Sequence, residues 1–132
     1  MTDQSVHLTD LQLAIVRLLW ERGECTVVEV QEGLLPQRDL AQTTVATLLS
    51  RLEKRGMVSH RVAGRQFLYR AEVSEPAVRQ SMVGELTEML FAGRPTALIS
   101  HLITERDIDA SELDEVKRLI AQAERRAATD GR

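Results

Sequence analysis

A single cysteine, Cys25, excludes an internal disulfide framework, because one thiol has no partner in its own chain. Aromatic residues are almost as scarce. Trp20, Phe67, Tyr69 and Phe91 make up 3% of the 132 residues, so Leu, Ile, Val and Met must carry the packing, which favours helices. No apolar run approaches the roughly 20 residues of a membrane span, and the N-terminus lacks the apolar core of a signal peptide. The expectation is a cytoplasmic protein with no membrane association. His7, His60 and His101 lie far apart, and none has a His or Cys at helical i+3 or i+4 spacing, so no metal site is expected. Cys25 fits a redox or metal sensor less well than a small semi-buried side chain. There is no glycine-rich phosphate loop, and Ser50 and Ser100 lack any nucleophile setting. Neither an enzyme nor a cofactor is expected.

An overall excess of positive charge is missing too. Seventeen Lys and Arg face twenty Asp and Glu, a net charge of −3. Taken whole, that balance argues against a nucleic-acid partner. The charge is unevenly placed, however. Arg51, Lys54, Arg55, Arg61, Arg65 and Arg70 stand against one acid, Glu53, while residues 73–132 carry eleven acids and eight bases. A local basic strip on an acidic chain can still face a phosphate backbone.

What the chain does contain is a set of helix starts and stops. Thr9 and Gln12 form a T-x-x-Q capping box, followed by Leu11, Ile15, Leu18 and Leu19, with Gly23 as the stop. Thr26 and Glu29 form a second box, and Pro36 closes the short helix that reaches about Leu34. After the loop PQRDLA, a third helix is expected from Gln42 to Arg55, ended by Gly56. Val45, Leu48, Leu49 and Leu52 give it one apolar stripe. Met57 to Val73 then alternates around Gly64 and reads as a β-hairpin. Three helices joined by tight turns and followed by a hairpin outline a winged helix.

The outer face of the third helix shows Thr43, Thr47 and Ser50 first, and Arg51 and Lys54 further on. Such a face is usually solvation alone. Threonine is a poor helix former, though, and a face built for solubility would use Glu, Lys or Gln. Threonine hydroxyls can instead bond base edges or phosphates, and Arg51 and Lys54 suit guanine or phosphate. The hairpin turn with Gly64 and Arg65, and Arg61 before it, can reach a phosphate or simply keep an edge strand soluble. The candidate DNA-facing set is Gln42, Thr43, Thr44, Ala46, Thr47, Ser50, Arg51, Lys54, Arg61, Gly64 and Arg65.

The shift from basic to acidic composition puts a boundary near residue 73, giving domains 1–73 and 74–132. Beyond it, three helices are expected. One, capped by Ser74, carries Val78, Met82, Leu86 and Met89. A short one carries Leu98 and Leu102. The last, opened by Asp109 and Glu112, carries Leu113, Val116 and Ile120. About 60 residues cannot bury three apolar stripes well alone, and a second copy of the same segment covers them most economically. Those nine apolar residues are the candidate dimerisation set. The fold class is thus mainly α with a small β-hairpin: an N-terminal winged helix-turn-helix and a C-terminal three-helix dimerisation domain. Two rival functions stand beside DNA binding, a winged-helix protein-interaction module and a ligand- or metal-responsive sensor. Residues 1–72 hold nine acids and nine bases, which keeps the first of these open.

Three segments, TTVATLLSRLEKRGMV, GRQFLY and FAGRPTALISHLITERDIDASELDEVKRLI, in this order and spacing, carry a resemblance. From about Leu8 to Ile120 the chain resembles the penicillinase-repressor family of bacterial winged-helix regulators, which includes β-lactamase, methicillin-resistance and copper-responsive repressors. The resemblance implies a homodimer on double-stranded, dyad-symmetric operator DNA that blocks transcription, with β-lactam-response or related genes as targets. It places Thr43, Thr44, Thr47 and Arg51 on the recognition helix and Arg65 in the wing. Some relatives have a long polar residue where Ala46 stands and a capping Ser where Ala41 stands. The tail RRAATDGR lacks the cysteine pairs of the copper-responsive branch. In the antibiotic-responsive branch a sensor-linked protease cuts an Asn-Phe bond in the dimerisation domain; the matching bond here is His101-Leu102.

Overall fold

The computed structural model describes residues 6–130. Their elements run α1 (Asp10–Arg22), β1 (Glu24–Cys25), α2 (Val27–Gly33), α3 (Gln42–Lys54), β2 (Val58–Ala63), β3 (Gln66–Ala71), α4 (Glu75–Phe91), α5 (Pro95–Glu105) and α6 (Ala110–Thr129). Both expected capping boxes form. The Thr9 hydroxyl accepts the Gln12 N–H at 3.2 Å while the Thr9 N–H donates to Gln12 Oε1 at 2.9 Å. Thr26 and Glu29 repeat the exchange at 3.1 and 2.8 Å. Each box satisfies two N–H groups that a helix start would leave bare. Ala41, at the N-cap of α3, makes no side-chain cap bond.

The expected hairpin is part of a larger sheet. The strand order is β1-β3-β2, all antiparallel, with Glu24 opposite Arg70 and Cys25 opposite Tyr69. A two-residue strand leaves almost no periodic trace in a sequence. The β2–β3 register pairs Ser59 with Arg70, His60 with Tyr69 and Val62 with Phe67, and closes over Gly64 and Arg65. Gly64 has φ of 64°, the left-handed region that a two-residue hairpin turn demands and that glycine enters without strain.

The chain divides into two units, the first ending at Leu86 and the second beginning at Thr87. Ile15, Val16 and Leu19 of α1, Val30 of α2, Val45, Leu49 and Leu52 of α3, and Val58 and Tyr69 of the sheet are buried together in the first. The first turns of α4 belong to the same core. Val78 is 3% exposed and Met82 packs beside it. The Trp20 indole N–H donates to the Val73 carbonyl at 2.8 Å, and the Val6 N–H donates to the Ser81 hydroxyl at 2.7 Å. Val78, expected among the dimerisation residues, has its side chain buried within its own chain. Met82 is largely committed to the same packing.

The second unit contrasts with the first. Neither α5 nor α6 has a buried residue among those described. Met89 is 72% exposed and Leu90 65%, and Leu102, Leu113 and Ile120 are exposed as well. Leu98 and Val116 are half-buried. Ala92 and Gly93, with φ of 52° and 75°, end α4 where the segment AGRP was read as a break. Asp109 caps α6 by accepting the Glu112 N–H at 2.9 Å. That bond, then the Ser111 hydroxyl, holds its carboxyl below the usual aspartate range.

Candidate nucleic-acid interface

Helix α3 is set by its apolar stripe. Val45, Leu49 and Leu52 are fully buried, which fixes the rotation of the helix and turns the opposite side outward. Gln42, Thr43, Thr44, Thr47, Ser50, Arg51 and Lys54 are all exposed, and Ala46 is half-buried. The Thr47 hydroxyl donates to the Thr43 carbonyl at 3.0 Å, which uses its one proton and leaves its oxygen able only to accept from a further partner. The loop before α3 is held by Gln31, whose side-chain amide donates to the Leu40 carbonyl at 2.9 Å.

The six cations of the basic strip separate into two groups. Arg55 donates to the His7 carbonyl at 2.7 Å, beyond the C-terminus of α3. Arg61 is gripped by Glu24 through Nε and Nη2 at 2.8 and 2.9 Å. Arg70 donates to Glu72 at 3.0 Å, and Glu72 also accepts the Ser59 hydroxyl at 2.5 Å. These bonds shift the partners' proton affinities. The Arg61 hydrogen bond holds the Glu24 carboxyl below its ordinary range, and Glu24 raises Arg61. Ser59 first, then Arg70, lowers Glu72. The side chains of Arg51, Lys54 and Arg65, by contrast, make no hydrogen bond or ion pair among the described residues. They are the cations left for something outside the chain. Arg61, expected with them, is already paired.

Two of the candidate residues, one on the helix and one in the wing, meet at one place. Gln42 at the start of α3 and Arg65 in the wing turn line a single cleft of about 270 Å³, with Thr26, Val28, Gln66 and Phe67. The start of the hydroxyl-bearing helix and the tip of the wing therefore border the same concavity. The sequence did not single out Glu53, His60 or Phe67. His60 Nδ1 lies 2.8 and 2.9 Å from the two Glu53 carboxylate oxygens, and its ring stacks on Phe67 with centroids 4.2 Å apart. Alternation in the hairpin put His60 on one strand face; its partner on α3 had no local signal.

Cys25 is fully buried on β1. Burial first, and the Glu29 carboxylate second, push its thiol up from the ordinary value, the reverse of what a reactive thiolate needs. Among the described residues no three His, Cys, Asp or Glu side chains gather where a cation could sit.

With this geometry in view, the kinship is direct. The family model described as penicillinase repressor matches residues 8–122. The chain belongs to the penicillinase repressor family. This repressor is 36% identical over 120 residues to the transcriptional regulator BlaI of Mycobacterium tuberculosis (strain H37Rv), covering 89% of this chain and 86% of that one. It is 18% identical over 120 residues to the methicillin resistance regulatory protein MecI of Staphylococcus aureus (strain N315), covering 91% and 98%. Among solved structures, monomeric Bacillus licheniformis BlaI in complex with the blaP half-operator is 25% identical, with a TM-score of 0.48 over 58% of this chain and 93% of that one. The YusO protein of Bacillus subtilis shares the fold at 16% identity, with a TM-score of 0.50 over 89% and 75%. Family membership makes the chain a winged-helix transcriptional repressor and not an enzyme. No described helix is long and apolar enough to cross a membrane.

Proposed function

We propose that this repressor acts as a homodimer on dyad-symmetric operator DNA, each copy placing α3 in one major groove and its wing turn against the flanking backbone. The observation that carries the reading is the sorting of the cations. Of six in the basic strip, the partnerless Arg51, Lys54 and Arg65 accompany the exposed hydroxyls of α3 or sit at the wing tip that borders the same cleft. Thr43, Thr44, Thr47 and Arg51 read base edges; Lys54 and Arg65 hold phosphates. Gln42 and Ser50 are placed for backbone contact, and Ala46 offers a thymine only its methyl.

Residues 1–73 are the DNA-binding domain and 74–132 the dimerisation domain in this reading, with the first turns of α4 anchored in the DNA-binding core. The dimer is supported by the uncovered Leu86, Met89, Leu102, Leu113 and Ile120, because an apolar surface of this extent needs cover. Linking two half-site readers raises the effective concentration of the second once the first is bound. Cutting the second unit would therefore release the operator. The His101-Leu102 bond lies inside α5, with the His101 ring 5.6 Å from Phe91, so a sensor-linked protease would have to unwind that helix first.

Footprinting of the purified protein on the DNA upstream of its own gene tests the reading. Protection of two half-sites about one or two helical turns apart supports it. Binding that ignores salt would instead favour a protein-interaction module, since phosphate contacts make affinity fall steeply with salt. A melting temperature raised by a small molecule or metal would favour the sensor reading.

A further inference from the structure

The outer part of the wing has little support of its own. Strand β1 pairs only with Tyr69 and Arg70 of β3, so residues 61–68 extend beyond it as a two-stranded ribbon. Such a ribbon is marginal by itself in water. It carries Arg65 at its turn, and its Val62 and Phe67 are 64% and 46% exposed. One contact chain reaches it from the helix. Glu53, in the last turn of α3, holds His60 through both carboxylate oxygens, and the His60 ring stacks on Phe67 at an interplanar angle of 20°. Tyr69, buried beside them, closes the row with its ring 5.3 Å from His60 and 6.3 Å from Phe67.

We infer that Glu53 and His60 are positioning residues for DNA binding, tying the wing to the recognition helix so that Arg65 is held at a fixed offset from Arg51 and Lys54. The inference rests on the proposed DNA-binding reading. Neither residue needs to touch DNA. The carboxylate fixes the imidazole, the imidazole fixes the Phe67 ring, and Phe67 stands two residues from Arg65. A wing preset in this way does not have to be ordered when DNA arrives, so less ordering cost opposes binding.

A double-mutant cycle on the full chain tests this, with the footprinted duplex as probe. Arg65→Ala should weaken binding on the order of tenfold, as for a lost charge-assisted contact. His60→Ala should weaken it severalfold in the native background but by less than about twofold once Arg65→Ala is present, because coupled residues are not additive. Glu53→Gln should follow His60→Ala. Hydrogen exchange without DNA should quicken at residues 61–68 in His60→Ala while α3 stays protected. If His60→Ala fails to fold, Phe67→Leu removes the stack alone and takes its place in the cycle. Additive effects with an intact Arg65 contribution would overturn the tie and leave the DNA-binding reading standing. No effect of Arg65→Ala would remove the wing from the interface, and the tie with it. No protected site at all would sink the DNA-binding reading itself.

Discussion

The Glu24 carboxylate grips the Arg61 guanidinium through two parallel N–H···O bonds of 2.8 and 2.9 Å across the outer face of the sheet. That pair takes the arginine of β2 out of the set that the basic strip suggested. An arginine held at both nitrogens gives up a good partner to meet a phosphate. Arg61→Ala should therefore change operator affinity little. Arg51→Ala, on the open face of α3, should weaken specific binding by about 1–3 kcal/mol. Titrating both variants against one duplex settles the contrast, and equal losses would return Arg61 to the interface.

Acid should loosen the fold in a defined window. Glu24, Glu72 and Asp109 all have folded-state proton affinities lowered by hydrogen bonds, the first chiefly by Arg61, the second by Ser59 and the third by the Glu112 N–H. A carboxyl whose folded pKa is depressed contributes stability above its unfolded value and loses it as pH falls through the folded one. The melting temperature should accordingly hold between neutral pH and the ordinary carboxylate range, then drop below the reference value of 4.5 for Glu24 and Glu72. All three are exposed, so each contribution is small and screened by salt. Glu24→Gln with Glu72→Gln should flatten the acid limb measured by thermal melts.

Much of the winged helix could be read in the chain, for reasons that differ by element. Thr9 and Thr26 announced two helices because a capping box joins residues only three apart. Val45, Leu49 and Leu52 announced the buried side of α3 because helical periodicity is local. Glu24, by contrast, joins a strand of two residues, too short for any period, and its partner Arg61 is 37 residues away. Net charge counted Arg55, Arg61 and Arg70 as available because composition does not register tertiary pairing. The composition break near residue 73 was visible, but the packing of Val78 on α1 and its neighbours was not. An apolar stripe looks the same whether it meets its own chain or another.

That distinction changes where the chain can be cut. A fragment ending at Glu72 loses Val78 from the core, together with Ser81, which holds the Val6 N–H. Ending at Leu86 keeps both. The longer fragment should fold, sediment as a monomer and bind operator poorly, because it lacks the uncovered surface of the second unit. The shorter one should melt lower. Within the full chain, Val78→Ala should cost about 1–3 kcal/mol of unfolding free energy whatever the protein concentration. Ile120→Asp should instead split the dimer and leave the first unit's core intact. A tight dimer of the longer fragment in sedimentation would move the interface into the DNA-binding unit.

Salt dependence gives the sharpest arithmetic, because it counts cations. If each copy meets phosphate only through Lys54 and Arg65, with Arg51 on a base, a dimer neutralises about four phosphates, and log affinity should fall against log salt with a slope of about −4. Were all six strip cations engaged on each copy, about twelve phosphates would be covered and the slope would approach −11. The internal pairs predict the smaller value. Lys54→Ala should lower the magnitude by about 2, one for each copy, and weaken all duplex sequences alike. Arg70→Ala should leave the slope unchanged. Filter binding or fluorescence anisotropy across salt concentrations measures both. A native slope near the larger figure would mean that Glu24 and Glu72 release their arginines when DNA binds, while a slope near zero would remove phosphate contact from the mechanism altogether.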